Sequence, residues 1–346
     1  MAVKLGRIAG THRYLNIADD SLNNHVALFG ISGGGKTTAG KCICRNIVAD
    51  GGTVLVLDYS GSFAGDDSMI KRIKIYEDGL PFPLLTPIRR PDGSYEDFYD
   101  IRASVLDVFA NVSQMGVRQR AVMRDVITCA IGLKANKDTF DDINEMGAIL
   151  CEISLMNRVA ETVYDRYCEL FNKLKSVPQS KIFEAGKITV LDLSQFSLRT
   201  QRVIAELILA IIWRYFRIWG QEAKQDLFVF CDEFQLLSLR EEGILSQILR
   251  EGRKFHLSLV LATQTLESFS KQELARIQQC GTKLFFRPGA HELTAVLRWI
   301  GAAKSDDLRK LLPSLDRGEC IAVGRFENGK GRLERPIKMT FRSDRI

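Results

Sequence analysis

The stretch Gly30-Ile31-Ser32-Gly33-Gly34-Gly35-Lys36-Thr37 sets glycines ahead of a lysine and a hydroxyl residue, in the order G-x-x-x-x-G-K-[ST]. Glycines let the backbone curl so that successive N–H groups aim at one point, an arrangement suited to phosphate oxygens, and a following helix adds its N-terminal dipole. In that reading Lys36 reaches the β- and γ-phosphates and the Thr37 hydroxyl ligates Mg2+. Further along, Leu227-Phe228-Val229-Phe230-Cys231 runs apolar into Asp232-Glu233. A buried strand ending in two carboxylates offers Asp232 to hold a magnesium ion through water and Glu233 to polarise an attacking water. Alone, the first stretch is a glycine-rich turn and the second a solvated acidic turn. Together they point to binding and hydrolysis of ATP, and a glutamate directly after the aspartate points away from GTPases.

The elements needed to position these residues are legible on both sides. Val26–Phe29 is a compact apolar run that stops at Gly30, as a buried strand entering a loop does. Thr37–Asp50 has helical spacing at Ile43, Ile47 and Val48, and Thr53–Leu57 is a second apolar strand ending at Asp58. Strand, loop, helix and strand in this order make a βαβ unit and require a parallel sheet. The apolar pattern resumes at Ile188–Leu193, Leu227–Cys231, Leu257–Ala262 and Thr282–Phe286, with helices expected over Gln201–Trp219 and Glu241–Phe255. Between these halves, Asp97–Ser113, Val117–Leu133, Phe140–Ser154 and Asn157–Leu174 carry apolar residues three and four apart, which predicts helices. Residues 1–62 are therefore expected to form an N-terminal segment and the first part of an ATPase core. Residues 63–186 form a mostly α-helical insertion, and residues 187–346 the rest of the core with a C-terminal tail. Arg72–Tyr76 looks strand-like, and Glu334–Ile346 resembles an extended strand with a basic tail.

Around this centre lie weaker candidates. The strand Leu257–Ala262 ends in Thr263-Gln264, where a polar side chain beside the Asp-Glu strand can sense the γ-phosphate; Thr263 could instead cap a helix. Arg250 and Arg253 lie three apart in Leu249–Phe255, on one face of the expected helix, and either reach a neighbour's site or form a solvated face. Arg287 is a third arginine of this kind. Asp58 and Asp192 end apolar strands on the same sheet edge, where capping is the simpler role for Asp192.

Composition narrows the class. The 346 residues include 46% hydrophobic and 26% charged side chains, ordinary for a globular protein, and the net charge of +6 permits nucleic-acid contact without requiring it. The eight cysteines form neither C-x-x-C pairs nor Cys/His clusters, so buried reduced thiols are expected rather than zinc or disulfides. No signal peptide is visible, and Val203–Trp213, the most apolar helix, is interrupted by Glu206 and too short to span a bilayer. A cytoplasmic protein without membrane insertion is the expectation.

Taken in order, GISGGGKTT, VLVLDYSGSF, LFVFCDEFQLL, LREGRKFHLSLVLATQ and GTKLFFRPG resemble the HerA/FtsK superfamily of ring-forming ATPases, nearest to HerA-type DNA translocases and VirB4-type conjugation ATPases. The resemblance covers roughly residues 23–62 and 187–325. It implies a RecA-like α/β P-loop fold with a mostly parallel central sheet, a homohexameric ring, and ATP bound between subunits with an arginine supplied in trans. It makes Gly30, Ser32, Gly33, Gly34, Gly35, Lys36, Thr37 and Thr38 the nucleotide contacts and Thr37 and Asp232 the Mg2+ ligands. Catalysis falls to Glu233 and Lys36, Gln264 becomes the γ-phosphate sensor, and Arg253 the first arginine-finger candidate ahead of Arg250 and Arg287. The tail Lys330–Arg345 matches a family habit of reaching toward an adjacent subunit. His256 stands where the family often has glycine. The β-barrel that usually precedes the HerA core and the long N-terminal domain of VirB4 proteins have no counterpart here, so dependence on a partner protein is expected.

The leading expectation is an ATP-driven hexamer translocating double-stranded DNA with a partner nuclease or effector. DNA contacts would come from phosphate-touching loops, with Thr265–Lys271 and Lys71–Lys74 as candidates. Two alternatives stand beside it: an ATP-gated ring that scaffolds or switches an effector in anti-phage defence, and a VirB4-like ATPase energising conjugative secretion.

Overall fold

The computed structural model describes residues 3–63, 68–134, 141–179, 182–220, 222, 226–329, 331–333 and 336–341. Its centre is a parallel sheet built from β3 (Val26–Phe29), β4 (Thr53–Asp58), β5 (Ile70–Lys74), β6 (Ile188–Asp192), β7 (Leu227–Cys231), β8 (Leu257–Thr263) and β9 (Thr282–Phe285). These strands lie in the order β9-β3-β8-β7-β4-β6-β5, every neighbouring pair parallel.

Continuous apolar runs form these strands because both faces of the sheet are covered. Successive side chains point to opposite faces, so each run divides between two cores. Leu55, Leu57, Val229 and Leu261 join the larger core, while Val54, Val56, Phe228, Phe230 and Val260 join the smaller. Helix α1 (Lys36–Ala49) covers the smaller core and approaches so closely that a Cβ on Gly40 would stand 2.5 Å from the Phe230 ring.

Between β5 and β6 come a short helix, α2 (Ile75–Asp78), and four longer ones: α3 (Phe98–Ser113), α4 (Val117–Lys134), α5 (Asp142–Ser154) and α6 (Arg158–Lys173). Asp97, Asp141 and Asn157 cap three of them by accepting from first-turn N–H groups. This helical segment packs on α7 (Leu198–Trp219), a 22-residue helix with buried residues on most of its faces. Arg214 of α7 ties it to the chain ahead of α3. Its guanidinium donates to Glu96 Oε1 and Oε2 (2.9 and 2.7 Å) and to the carbonyls of Leu84 and Thr86 (2.9 and 3.2 Å).

The strand expected within Glu334–Ile346 forms over Ile337–Thr340, and the two ends of the chain pair with each other. The mixed residues before β3 form strands β1 (Lys4–Ile8) and β2 (Tyr14–Ile17). They build an antiparallel flank with β10 (Glu319–Val323), β11 (Phe326–Glu327), β12 (Arg332–Leu333) and β13 (Ile337–Thr340), extending the sheet to 13 strands among the described residues. β10 joins this flank to β9. Within the expected tail, β13 pairs with β1 and β10 of its own chain; residues 330, 334, 335 and 342–346 lie outside the described residues.

Smaller differences are local. The helix expected over Glu241–Phe255 is α8 (Ile244–Glu251), opened by Gly243 and followed by a 3-10 turn over Gly252–Phe255. The strand expected at Arg72–Tyr76 is β5, which ends at Lys74 and leads directly into α2. Lys71–Lys74 is therefore part of the outermost parallel strand, not a loop. All eight cysteines are free, but only Cys44, Cys231, Cys280 and Cys320 are buried; Cys42, Cys151 and Cys168 are half-buried and Cys129 is exposed. No helix among the described residues is long and apolar enough to cross a membrane.

Candidate active site

β3 and its neighbours end in register, with Phe29 opposite Thr263 on one side and Phe285 on the other. The loop after β3 therefore emerges at the C-terminal edge of the sheet, where an open parallel sheet leaves room for a ligand. Its glycines answer to close neighbours. Gly30 has φ 146° and a Cβ there would sit 2.8 Å from Phe286 Cβ. Gly35 has φ 102°, and a Cβ there would lie 2.7 Å from the backbone nitrogen of Gly318. Two hydrogen bonds hold the loop in place: Ile31 N–H donates to the Arg287 carbonyl (3.0 Å) and Gly318 N–H to the Gly34 carbonyl (2.9 Å).

This loop opens α1 without a side-chain cap, and the N–H groups of Lys36, Thr37 and Thr38 meet no acceptor among the described residues. Uncommitted donors at a helix N-terminus suit an anion. Lys36 is 5% exposed, and its Nζ donates to the carbonyls of Gly30 (2.8 Å) and Ile31 (3.0 Å). Burial pushes its ammonium down from the usual lysine range, against the opposing pull of Asp232 and Glu233.

Across the crevice, Thr37 Oγ1 donates to Asp232 Oδ2 at 2.6 Å. Burial pushes the Asp232 carboxyl above the usual range; the hydroxyl of Thr37 and the charge of Lys36 act the other way, and the nearby Glu233 charge reinforces the rise. Glu233 itself takes the left-handed conformation (φ 57°) and opens a 3-10 turn over Phe234–Leu236. Its carboxylate accepts from the side-chain amides of Gln264 and Gln235. Thr263 caps no helix: its hydroxyl donates to the Thr265 carbonyl (3.2 Å).

The donor set fits Mg2+. Thr37 and Asp232 present hard oxygens, and no cluster of three or more His, Cys, Asp or Glu among the described residues competes for a metal. Few protein ligands is the usual situation for Mg2+, which keeps waters and takes substrate phosphate oxygens.

The remaining candidates separate. Arg287 is exposed at the end of β9, beside the glycine loop. Arg250 and Arg253 precede β8, at the sheet's other edge, roughly 20 Å along the strand from Thr263. The expected shared helical face is lost because α8 ends at Glu251 and Arg253 lies in the tighter turn. Arg250 pairs with Glu251 (3.2 Å), and Arg253 donates to the Leu22 carbonyl (2.7 Å). Neither reaches the glycine loop of its own chain. Asp58 caps its strand by accepting from the N–H groups of Ser60, Ser62 and Phe63, and Asp192 caps its own by accepting from Ser194 N–H (3.0 Å) while pairing with Arg72 (2.6 Å). Sequence reasoning missed the Arg317–Gly318 turn against the loop and the role of Gln235. The first had no local signal, because it depends on a contact with a distant strand.

A glycine loop and an acidic strand facing each other across the C-terminal edge of a RecA-like sheet define the P-loop NTPase class. Within it, the chain belongs to the family described as Helicase HerA, central domain, which matches residues 3–212. The DNA double-strand break repair helicase HerA of Saccharolobus solfataricus is 22% identical over 351 residues, covering 94% of this chain and 66% of that protein. Its counterpart in Sulfolobus acidocaldarius is also 22% identical, covering 93% of this chain and 66% of that protein. The chain thus spans just under two thirds of the length of these relatives. Among solved structures, VirB4 of Thermoanaerobacter pseudethanolicus has a TM-score of 0.72 at 15% identity, covering 99% of this chain and 96% of that one. The plasmid coupling protein TrwB in complex with ADP and Mg2+ has a TM-score of 0.62 at 14% identity, covering 95% and 88%. At such identities the likeness shows a common fold.

Proposed function

We propose that the chain binds MgATP at this edge and hydrolyses it as a subunit of a hexameric ring that translocates double-stranded DNA, together with a partner nuclease or effector. The observation that carries the reading is one connected network. Thr37 holds Asp232, the adjacent Glu233 holds Gln264, and so the glycine loop, the acidic strand and the next strand's polar tip meet at one point. Family membership and relatives named as DNA double-strand break repair helicases support the choice of DNA as substrate.

In this mechanism the first-turn N–H groups of α1 and Lys36 bind the phosphates, Lys36 exchanging its loop carbonyls for phosphate oxygens. Mg2+ would be held by Thr37 and, through water, by Asp232, and there it would supply neutralisation of phosphate charge. Glu233 orients and polarises the attacking water, with its carboxylate aimed by Gln264 and Gln235. Gln264 connects this site to the segment Thr265–Lys271, the proposed DNA-contact loop. Glu292 fixes that loop by accepting from Thr265 Oγ1 and Leu266 N–H (2.6 Å each), and the Phe269 ring stacks on Phe234 at 5.2 Å. A shift of Glu233 on γ-phosphate release therefore has a packed route to the loop.

The test is ATP hydrolysis by the wild type and by Glu233→Gln, each with and without duplex DNA. Loss of the general base lowers turnover about a hundredfold or more, and DNA raises the wild-type rate several-fold. Wild-type hydrolysis indifferent to DNA, with a dead variant, would overturn the motor and leave the partner-switching ring. Full activity in the variant would overturn the site assignment itself.

A further inference from the structure

A second concentration of charge lies along the same C-terminal edge of the sheet, well to one side of the glycine loop. A cavity of about 460 Å3 opens where the C-terminus of α3 and the side of α6 meet the start of α7, with Arg166, Arg199, Arg202, Ser113 and Gln114 as its polar lining. No carboxylate is among its lining residues. It belongs to the β6–α7 connection, four strands from β3, which is roughly 19 Å at ordinary strand spacing.

The arginines are poorly served by the protein around them. Arg166 donates to the Ser113 carbonyl (3.1 Å). Arg202 has its Nε sealed from solvent without a hydrogen-bond acceptor, whereas buried Arg214 in the same helix makes four hydrogen bonds. Arg199 is exposed in the first turn of α7 and takes part in no ion pair or hydrogen bond among the described residues.

Arg199, in the first turn of α7, sets positive charge against the positive end of the dipole, Arg202 follows one turn later, and no acidic residue occupies that first turn. Two carboxylates lie close by, and of these buried Glu206 feels the Arg202 charge without forming an ion pair with it among the described residues. Glu169 accepts from Ser197 N–H (3.2 Å) and Thr200 Oγ1 (2.7 Å), and Glu206, one turn beyond Arg202, accepts from Ser238 N–H. A dianion in the cavity would relieve the repulsion among the three guanidinium groups.

We propose that this cavity binds a phosphate group, held by the guanidinium forks of Arg199 and Arg202 and the charge of Arg166. Planar guanidinium groups pair with phosphate oxygens through two parallel hydrogen bonds, which favours this anion over a chloride. The phosphate group can belong to a nucleic-acid backbone or to a free phosphate compound.

Two binding measurements decide this, both in a Lys36→Ala background so that the glycine loop does not contribute. Calorimetry with inorganic pyrophosphate reads the free-phosphate source. Duplex-DNA binding across a salt series reads the backbone source. Arg199→Ala, and Arg199→Ala with Arg202→Ala, are compared with the charge-retaining Arg199→Lys. A weakening of about tenfold or more in either ligand, partly restored by lysine, is the expected result. If the source is DNA, the salt slope also falls by about one per lost contact. Unchanged affinity for both ligands in Arg199→Ala, or binding of neither by the parent, overturns the proposal. Arg199 is exposed, so its alanine variant remains decisive if the double variant fails to fold. The pyrophosphate arm is independent of the motor reading: a parent that binds no DNA defeats the motor, while pyrophosphate still tests the cavity.

Discussion

Glu233 holds a backbone conformation that costs a non-glycine residue on the order of 1–2 kcal/mol. The cost is offset where the carboxylate finds its partners: the left-handed turn directs it to Gln264 and Gln235 instead of along the strand. The pair Asp232-Glu233 was readable because it follows directly on an apolar run; the turn was not, since it depends on what Glu233 meets in space. Gly35 shows the same division. Its place in the spaced motif is evident from sequence, but the requirement for glycine comes equally from Gly318, which leaves no room for a Cβ. Gly35→Ala therefore meets both an unfavourable φ and a backbone clash. We expect it to destabilise the fold by about 1–3 kcal/mol and to weaken ATP binding at least about tenfold, measured by thermal melting and by calorimetry. Normal nucleotide affinity in this variant would show that the loop tolerates displacement from the Arg317–Gly318 turn.

Among the elements, α7 links the helical segment to the site. Its Glu206 is buried and accepts from Ser238 N–H, just past the turn that begins at Glu233. Burial raises its carboxyl from the usual 4.5 to about 7. Between those values the folded chain retains a proton that the unfolded chain has released, so this group makes stability fall as pH rises through the window and contributes a constant penalty above it. Glu206→Gln keeps an acceptor for Ser238 without the ionisation. It is expected to gain up to about 3 kcal/mol relative to wild type above pH 7, and little below pH 4.5. His25, which burial pushes down to about 4, titrates in an overlapping window with the opposite sign. The difference between variant and wild type in denaturant melts at several pH values is therefore the measurement, and a pH-independent difference would refute the assignment. Local signals explain most helices: Asp97, Asp141 and Asn157 stand where caps are needed. One such signal went unused, Ser270 with Glu273, which forms a full capping box at the start of the helix Lys271–Ile277.

For the whole molecule, the position of Arg250 and Arg253 is the sharpest constraint. Both lie at the edge of the sheet opposite the glycine loop, so any arginine finger they provide acts on a neighbouring subunit. Mixing two inactive proteins tests this. Arg253→Ala subunits retain Glu233, and Glu233→Gln subunits retain Arg253. Co-assembled at random in the proposed ring, they should recover about a quarter of the wild-type rate, since a heterologous interface there would join one subunit's site to the next subunit's arginine. No recovery, or full activity of Arg253→Ala alone, would remove Arg253 from this role and leave Arg287, the arginine placed beside its own chain's loop.

Short-range chemistry was set by the sequence alone. The glycine loop with Lys36 and Thr37, the Asp232-Glu233 strand end, the βαβ order and the helices between β5 and β6 each depend on residues close together in the chain, where backbone freedom, apolar period and capping act directly. Only the tertiary structure decided what distant segments do to one another. The antiparallel flank joins Lys4–Ile8 to Ile337–Thr340, and β13 fits between β1 and β10 of its own chain. Gly318 closes on the glycine loop, and the arginines of α6 and α7 converge on one cavity. Strand pairing and close packing between segments hundreds of residues apart follow from the register of a completed sheet, and a short window of sequence carries no record of that register.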